Sequence, residues 1–129
     1  MCLQTNSLFS ESVKEDIVCY KVFDVVDGKL KSPFYYDIPW ELGEEFTDPR
    51  FNMTAINRGS ALFTVKSAFH SFKSLEDAQK YSNGWNTHTI VKCTIVKCII
   101  PAGSEYYDGW FNNVTKAYAS SKLKLVEII

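Results

Sequence analysis

Apolar and β-branched residues concentrate in one run, Thr87–Gly103 (THTIVKCTIVKCIIPAG), the longest of its kind in the chain. Its composition predicts a long strand over His88–Ile100. The alternation is imperfect: Val91, Cys93 and Ile95 share one phase, and Val96, Cys98 and Ile100 the other. A strand buried on both faces gives that pattern, and so does a bulge near Thr94–Val96. Directly before this run, Ser74–Tyr81 reads as a helix. Ser74 is the N-cap, Asp77 follows three residues on, and Leu75, Ala78 and Tyr81 form the buried stripe. Asn83-Gly84 is the expected stop.

The other strong alternation is Ile17–Val26, with Val18, Tyr20 and Val22 in one phase and Cys19, Lys21 and Phe23 in the other. Asp27-Gly28 then signals a tight hairpin into a return strand over Lys29–Lys31, which Ser32-Pro33 ends. Residues 33–46 (PFYYDIPWELGEEF) fit neither period and read as an ordered aromatic loop. Further on, a short strand is expected near Phe51–Ile56, and extended segments over Ala61–Val65 and Ala68–Phe72. Asp108-Gly109 reads as a turn, Asn112–Ser121 as polar with one helical turn, and Leu123–Ile129 as a last strand with Leu123, Leu125 and Glu127 on one face. Residues 1–16 read as an N-terminal arm and 17–129 as one compact domain. The fold class expected is α+β: a mostly antiparallel sheet of about five or six strands with one or two short helices.

Composition fits one domain with a substantial core: 129 residues, 46% hydrophobic and 15% aromatic. A net charge of -1 gives no bulk attraction to nucleic acid, which is not an expected partner. Charge is uneven, with ten acids and five bases in residues 1–50 against five and nine in 51–129. No run reaches the roughly 18 apolar residues of a membrane helix. No signal peptide is visible, so the reading is cytoplasmic, with no membrane partner and reduced cysteines.

Candidate chemistry is sparse. His70, between Phe69 and Ser71 and just ahead of the helix, suits a general base or, with Ser71, Lys73 and Ser74 and the helix N–H groups, a phosphate site. The more ordinary account makes it a core histidine bonded to a backbone carbonyl. The loop aromatics Tyr35, Tyr36 and Trp40 suit a pocket wall or, more plainly, a cover over the core. Cys19, Cys93 and Cys98 read as small buried thiols, and Cys2 as a nucleophile only if it becomes the N-terminus. Two histidines in the chain do not support a metal site, and no phosphate loop or dinucleotide fingerprint appears. No cofactor is expected. Lys66, Lys73, Lys92, Lys97, Lys116, Lys122 and Lys124, interleaved with Tyr106, Tyr107 and Trp110, would suit a nucleotide or a single strand; as solvated faces of strands and of the helix they need no ligand.

Three segments together, YKVF at Tyr20–Phe23, FHSFKSLEDAQKY at Phe69–Tyr81 and KCIIPAGSEYYDG running on to YASSKLKLVE, resemble a family of small proteins from bacteriophage and bacterial genomes. The likeness spans Val18 to Ile129. It implies a compact single domain and a host-directed or defence-countering role, with no chemistry attached. A looser resemblance is to ADP-ribosyltransferase-type folds. It implies that Tyr20-Lys21, Ser71-Phe72-Lys73 and Glu127 take the places of the early-strand, serine-strand and glutamate elements.

The function expected is therefore a small binding protein that engages a host protein or a nucleotide-like ligand. Its site residues would be His70, Ser71, Lys73, Ser74, Tyr20, Tyr35, Tyr36, Trp40 and Glu127. An enzyme using a nucleotide cofactor, with His70, Tyr20 and Glu127 acting, is the alternative. An oligomeric structural protein is a third reading.

Overall fold

The computed structural model describes residues 3–32, 35, 37–57, 62–65, 67–88, 92–111 and 114–129, with the backbone alone for 57 and 84–88. The strands are β1 (Leu3–Thr5), β2 (Glu11–Ser12), β3 (Ile17–Val26), β4 (Lys29–Lys31), β5 (Glu45–Thr47), β6 (Ile56–Asn57), β7 (Phe63–Val65) and β8 (Phe69–Phe72). Helix α1 (Leu75–His88) follows, then β9 (Lys92–Ile100), β10 (Glu105–Phe111), β11 (Thr115–Ser120) and β12 (Lys122–Ile128). The α+β class stands, but the expected five or six strands do not. Among the described residues one antiparallel sheet holds twelve, ordered β5-β12-β9-β3-β8-β11-β10-β1-β7-β6, with β2 on β10 and β4 on β3. Among the described residues there is one helix.

Strands of two to four residues account for much of the difference. They are too short to show a period, and only their long-range partners make them strands. Leu3–Thr5, in the expected arm, is one: it lies between β10 and β7, with Leu3 fully buried. The short strand expected near Phe51–Ile56 is instead Ile56–Asn57, against β7.

The centre of the sheet is the pairing of β3 with β9, continuous from Ile17↔Ile100 to Val25↔Lys92. It contains no bulge, so of the two accounts of the imperfect alternation the bulge near Thr94–Val96 is absent. Val96, Cys98 and Ile100 are buried on one face, and Ile95, Lys97 and Ile99 are half-buried on the other. The irregularity sits in β12, where the register shifts between Leu125 and Glu127. Leu125 stands opposite Cys98 and Glu127 opposite Lys97, so Glu127 turns to the face opposite Leu125, not the same one. The strand expected from His88 starts at Lys92, because His88 still belongs to α1.

Asp27-Gly28 makes the expected hairpin, both residues at positive φ (52° and 74°). The second Asp-Gly does not turn: Asp108 and Gly109 lie inside β10, opposite Tyr118 and Ala117. Thr115–Ser120, expected to hold a helical turn, is strand β11. The helix also passes its expected stop at Asn83-Gly84. A glycine inside a helix costs only about 1 kcal/mol, and contacts just before it hold α1 to the sheet. Tyr81 stacks on Phe72 at 5.4 Å, and Ser82 Oγ lies 3.2 Å from Cys93 Sγ.

Cross-strand partners share a face, and this divides the sheet's apolar residues into two cores on opposite faces. On the first face Cys19, Phe23, Val96, Cys98, Ile100, Leu123, Leu125, Phe69 and Tyr118 are covered by Val13 and the loop aromatics Tyr35 and Trp40. On the second face Phe72, Ala117, Ala119, Tyr107, Phe111, Leu3 and Val65 are covered partly by Ala78 of α1. The two cores are offset along the strand order and overlap at β8 and β11. Beyond that overlap, toward β10 and β1, the first face opens to solvent.

Candidate functional site

The place where the first face changes from buried to open carries the densest chemistry. The β11–β10 register sets Lys116 opposite Trp110 and Tyr118 opposite Asp108, and the β11–β8 register sets Tyr118 opposite Ser71. Lys73 extends the same face, its backbone N–H donating to the Lys116 carbonyl at 3.3 Å.

Asp108 sits between two ammonium groups, with Lys116 Nζ at 3.3 Å and Lys73 Nζ at 4.0 Å. All three side chains are 40–48% exposed, so these are screened contacts. Lys116 Nζ stands 4.3 Å over the Trp110 ring, and Lys73 Nζ lies 5.9 Å from the Tyr118 ring. Tyr106 is 6.1 Å from Tyr118. The set has two cations to one carboxylate, with Trp110 and Tyr106 partly exposed and Tyr118 buried beside them. It can stack a planar ring and attract an anion beside it. Burial, then the Asp108 charge, push the Tyr118 phenol up to about 12, so it is a neutral hydrogen-bonding group at ordinary pH.

Further inward on this face lie Ser71, Cys19 and Lys21. Lys21 is buried, and its Nζ donates to the His70 carbonyl at 2.8 Å. Desolvation lowers its pKa to about 8. The Cys19 thiol is pushed up to about 12 by burial, against a smaller opposing effect of the neighbouring Ser71 hydroxyl and Lys21. Burial raises Cys98 as well. Both thiols are free. Ser71 Oγ, despite that neighbour, has no hydrogen bond of ordinary geometry.

The sequence-expected residues do not converge on one site. Ser71 and Lys73 belong to the set above. Ser74 is spent as the helix cap, its Oγ accepting the Asp77 N–H at 3.2 Å. His70 points to the second face with Phe72, its ring 5.6 Å from Phe111. Its Nε2 is buried without a partner. Desolvation first, then the Lys21 charge, lower its pKa to about 3, so it is neutral. Tyr20 and Glu127 are also on the second face, on either side of Lys97, to which Glu127 Oε1 comes within 3.9 Å. No hydrogen bond or ion pair among the described residues joins His70 to either. Tyr35 and Trp40 are core residues: Trp40 packs on Phe23, Phe46 and Phe69, and Tyr35 donates to Asp48 Oδ2 at 2.7 Å. Tyr36 and Cys2 lie outside the described residues.

Of the expected basic and aromatic set, Lys73, Lys116, Tyr106 and Trp110 come together, while Tyr107 is buried on the second face. Asp108 and Tyr118 were not legible as site residues. Lys21 had a signal, since a lysine in phase with Cys19 and Phe23 must enter an apolar face. Among the described residues no group of His, Cys, Asp and Glu could hold a metal ion. No helix among them is long and apolar enough to cross a membrane. No protein-family model, curated protein or solved structure matches the chain.

Proposed function

We propose that the protein is a small binding module that takes a nucleotide-like ligand, a planar ring carrying an anionic group, on the open first face of its sheet. The observation that carries this reading is Lys116 poised over Trp110 with Lys73 and Asp108 alongside. Stacking on an aromatic side chain is worth about 1–3 kcal/mol per base, and the two lysines add one net positive charge beside the ring. Without a ligand, Asp108 holds both ammonium groups. With one, they swing onto its anion. The host-directed role implied by the phage likeness would then work through capture of a host nucleotide. The enzyme reading has less support, because no hydrogen bond or ion pair among the described residues joins His70 to Tyr20 or Glu127.

Titration with adenosine diphosphate, followed by tryptophan fluorescence and calorimetry, tests the reading. Binding should quench fluorescence and be weakened about ten- to hundred-fold by Trp110→Ala. Absence of binding at millimolar ligand, or binding untouched by that substitution, would sink it.

A further inference from the structure

Lys21 is a buried cation without a counter-charge. An ammonium group has three hydrogens to donate, and one goes to the His70 carbonyl. Among the described residues no carboxylate lies within ion-pair distance of it. Cys19 and Cys98 are the other ionisable groups acting on it, and burial keeps both thiols protonated, so neither supplies a negative charge. Among the described residues its aromatic contact is the Phe23 ring, 5.6 Å away. Proteins rarely bury a charge unless something pairs with it.

A second, independent observation lies beside it. Continuing the Tyr20↔Phe72 register by one residue sets Lys21 across from Ser71. Ser71 is 1% exposed, and its hydroxyl lacks a hydrogen bond of ordinary geometry. Two incompletely satisfied polar groups thus neighbour each other on one face, Ser71 having only the weak Cys19 thiol beside it and Lys21 only the His70 carbonyl. The row continues outward through Tyr118 to Asp108. Four adjacent strands span about 14 Å at the usual spacing of about 4.8 Å, comparable to an extended nucleotide.

We infer that Lys21 and Ser71 form a second, inner anion-binding end of the same site and take the terminal phosphate-type oxyanion, while Trp110 takes the ring at the outer end and Lys116 and Lys73 the charge nearest it. This deepens the nucleotide reading and rests on it for the ring. The oxyanion accepts from Lys21 Nζ and from Ser71 Oγ, supplying a counter-charge to one and a stronger acceptor than the Cys19 thiol to the other.

The test uses the full chain, Ser71→Ala and Lys21→Met. Thermal unfolding is followed against inorganic phosphate, with sodium chloride at matched ionic strength as control. Phosphate should raise the wild-type Tm saturably and leave both variants unmoved. Because the Ser71 hydroxyl lacks a well-formed bond, Ser71→Ala should fold as well as the parent. Adenosine and adenosine diphosphate are then titrated against all three. The diphosphate should bind wild type about ten-fold or more tighter than it binds either variant, as a charge-assisted hydrogen bond implies, while adenosine should bind all three alike. If both ligands bind and the variants behave as wild type, the inner site is wrong and the ring platform stands. If neither binds but phosphate still raises the wild-type Tm alone, the platform is wrong and the anion site stands. If phosphate acts no differently from chloride and the diphosphate does not prefer wild type to the variants, the inference is overturned.

Discussion

Gly109 brings the β10 backbone against the Gln4 carbonyl oxygen of β1 so closely that no side chain fits between them. Its φ is not positive, so the glycine is there for space and not for conformation. Gly109→Ala must push β1 away from β10, and Leu3, fully buried in the second core, moves with it. The expected cost is about 2–3 kcal/mol, in the range of overpacked core sites, read as a lower urea midpoint. Alanine at Gly28, where φ is positive but nothing lies within 4 Å, should cost about 1 kcal/mol from backbone strain alone. Equal costs at the two positions would contradict the close approach.

Lys21→Met should stabilise the protein when no ligand is present. Lys21 has a folded pKa of about 8, below its ordinary 10.5. The fold therefore opposes its charge. That penalty is fully present below pH 8 and disappears as pH rises toward the unfolded value. A depression of this size corresponds to about 3 kcal/mol, and loss of the bond to the His70 carbonyl returns about 1 kcal/mol. A net gain of about 2 kcal/mol is expected at pH 7 by urea unfolding. The advantage over wild type should shrink between pH 8 and pH 10. A variant that is less stable at pH 7 would show that the charge is better compensated than the contacts indicate.

His70 sets the acid limit. Its folded pKa, lowered to about 3 from 6.5, means that the unfolded chain binds the proton first. Stability from the neutral ring is complete above pH 6.5 and declines as pH falls toward 3. Between pH 7 and pH 4.5 the loss from this residue should be about 2–3 kcal/mol. His70→Gln keeps a hydrogen-bonding side chain that does not titrate. Unfolding measured at both pH values should show the wild type losing that much more than the variant. Parallel losses would place the acid sensitivity elsewhere.

The legible parts of this fold were those decided by neighbours in sequence. The Asp27-Gly28 hairpin, the Ser74 cap and the phase of β3 all follow from local geometry. The same dipeptide at Asp108-Gly109 misleads, because its conformation is imposed by β1 and β11 and not by its own residues. Glu127 was misplaced for a similar reason: the register shift in β12 answers to β9. At the site, the lysines and aromatics were visible as types, but their grouping depends on register across β8, β11 and β10. His70 looked reactive from its place before the helix. In the fold it turns away from Lys73 to the second face, beside Phe111.

The loop that covers the first core depends on one buried carboxylate. Asp48 has a fully buried side chain, and it accepts the Tyr35 hydroxyl at 2.7 Å and the Arg50 backbone N–H at 2.9 Å. Burial first, then the bond to Asp48 and its charge, hold the Tyr35 phenol well above its ordinary range. Tyr35→Phe keeps the ring contact with Phe69, 5.1 Å away, and removes only the donor. A hydrogen bond to a charged group is worth about 1.5–3 kcal/mol, so a loss of about 2 kcal/mol is expected at pH 7. Replacing Asp48 by Asn at the same time should cost less than the two single losses added together, because the neutral amide no longer leaves a charge stranded. A double-mutant cycle by urea unfolding checks this. Strict additivity would mean that Tyr35 and Asp48 act independently, and that the loop is held by its aromatics alone.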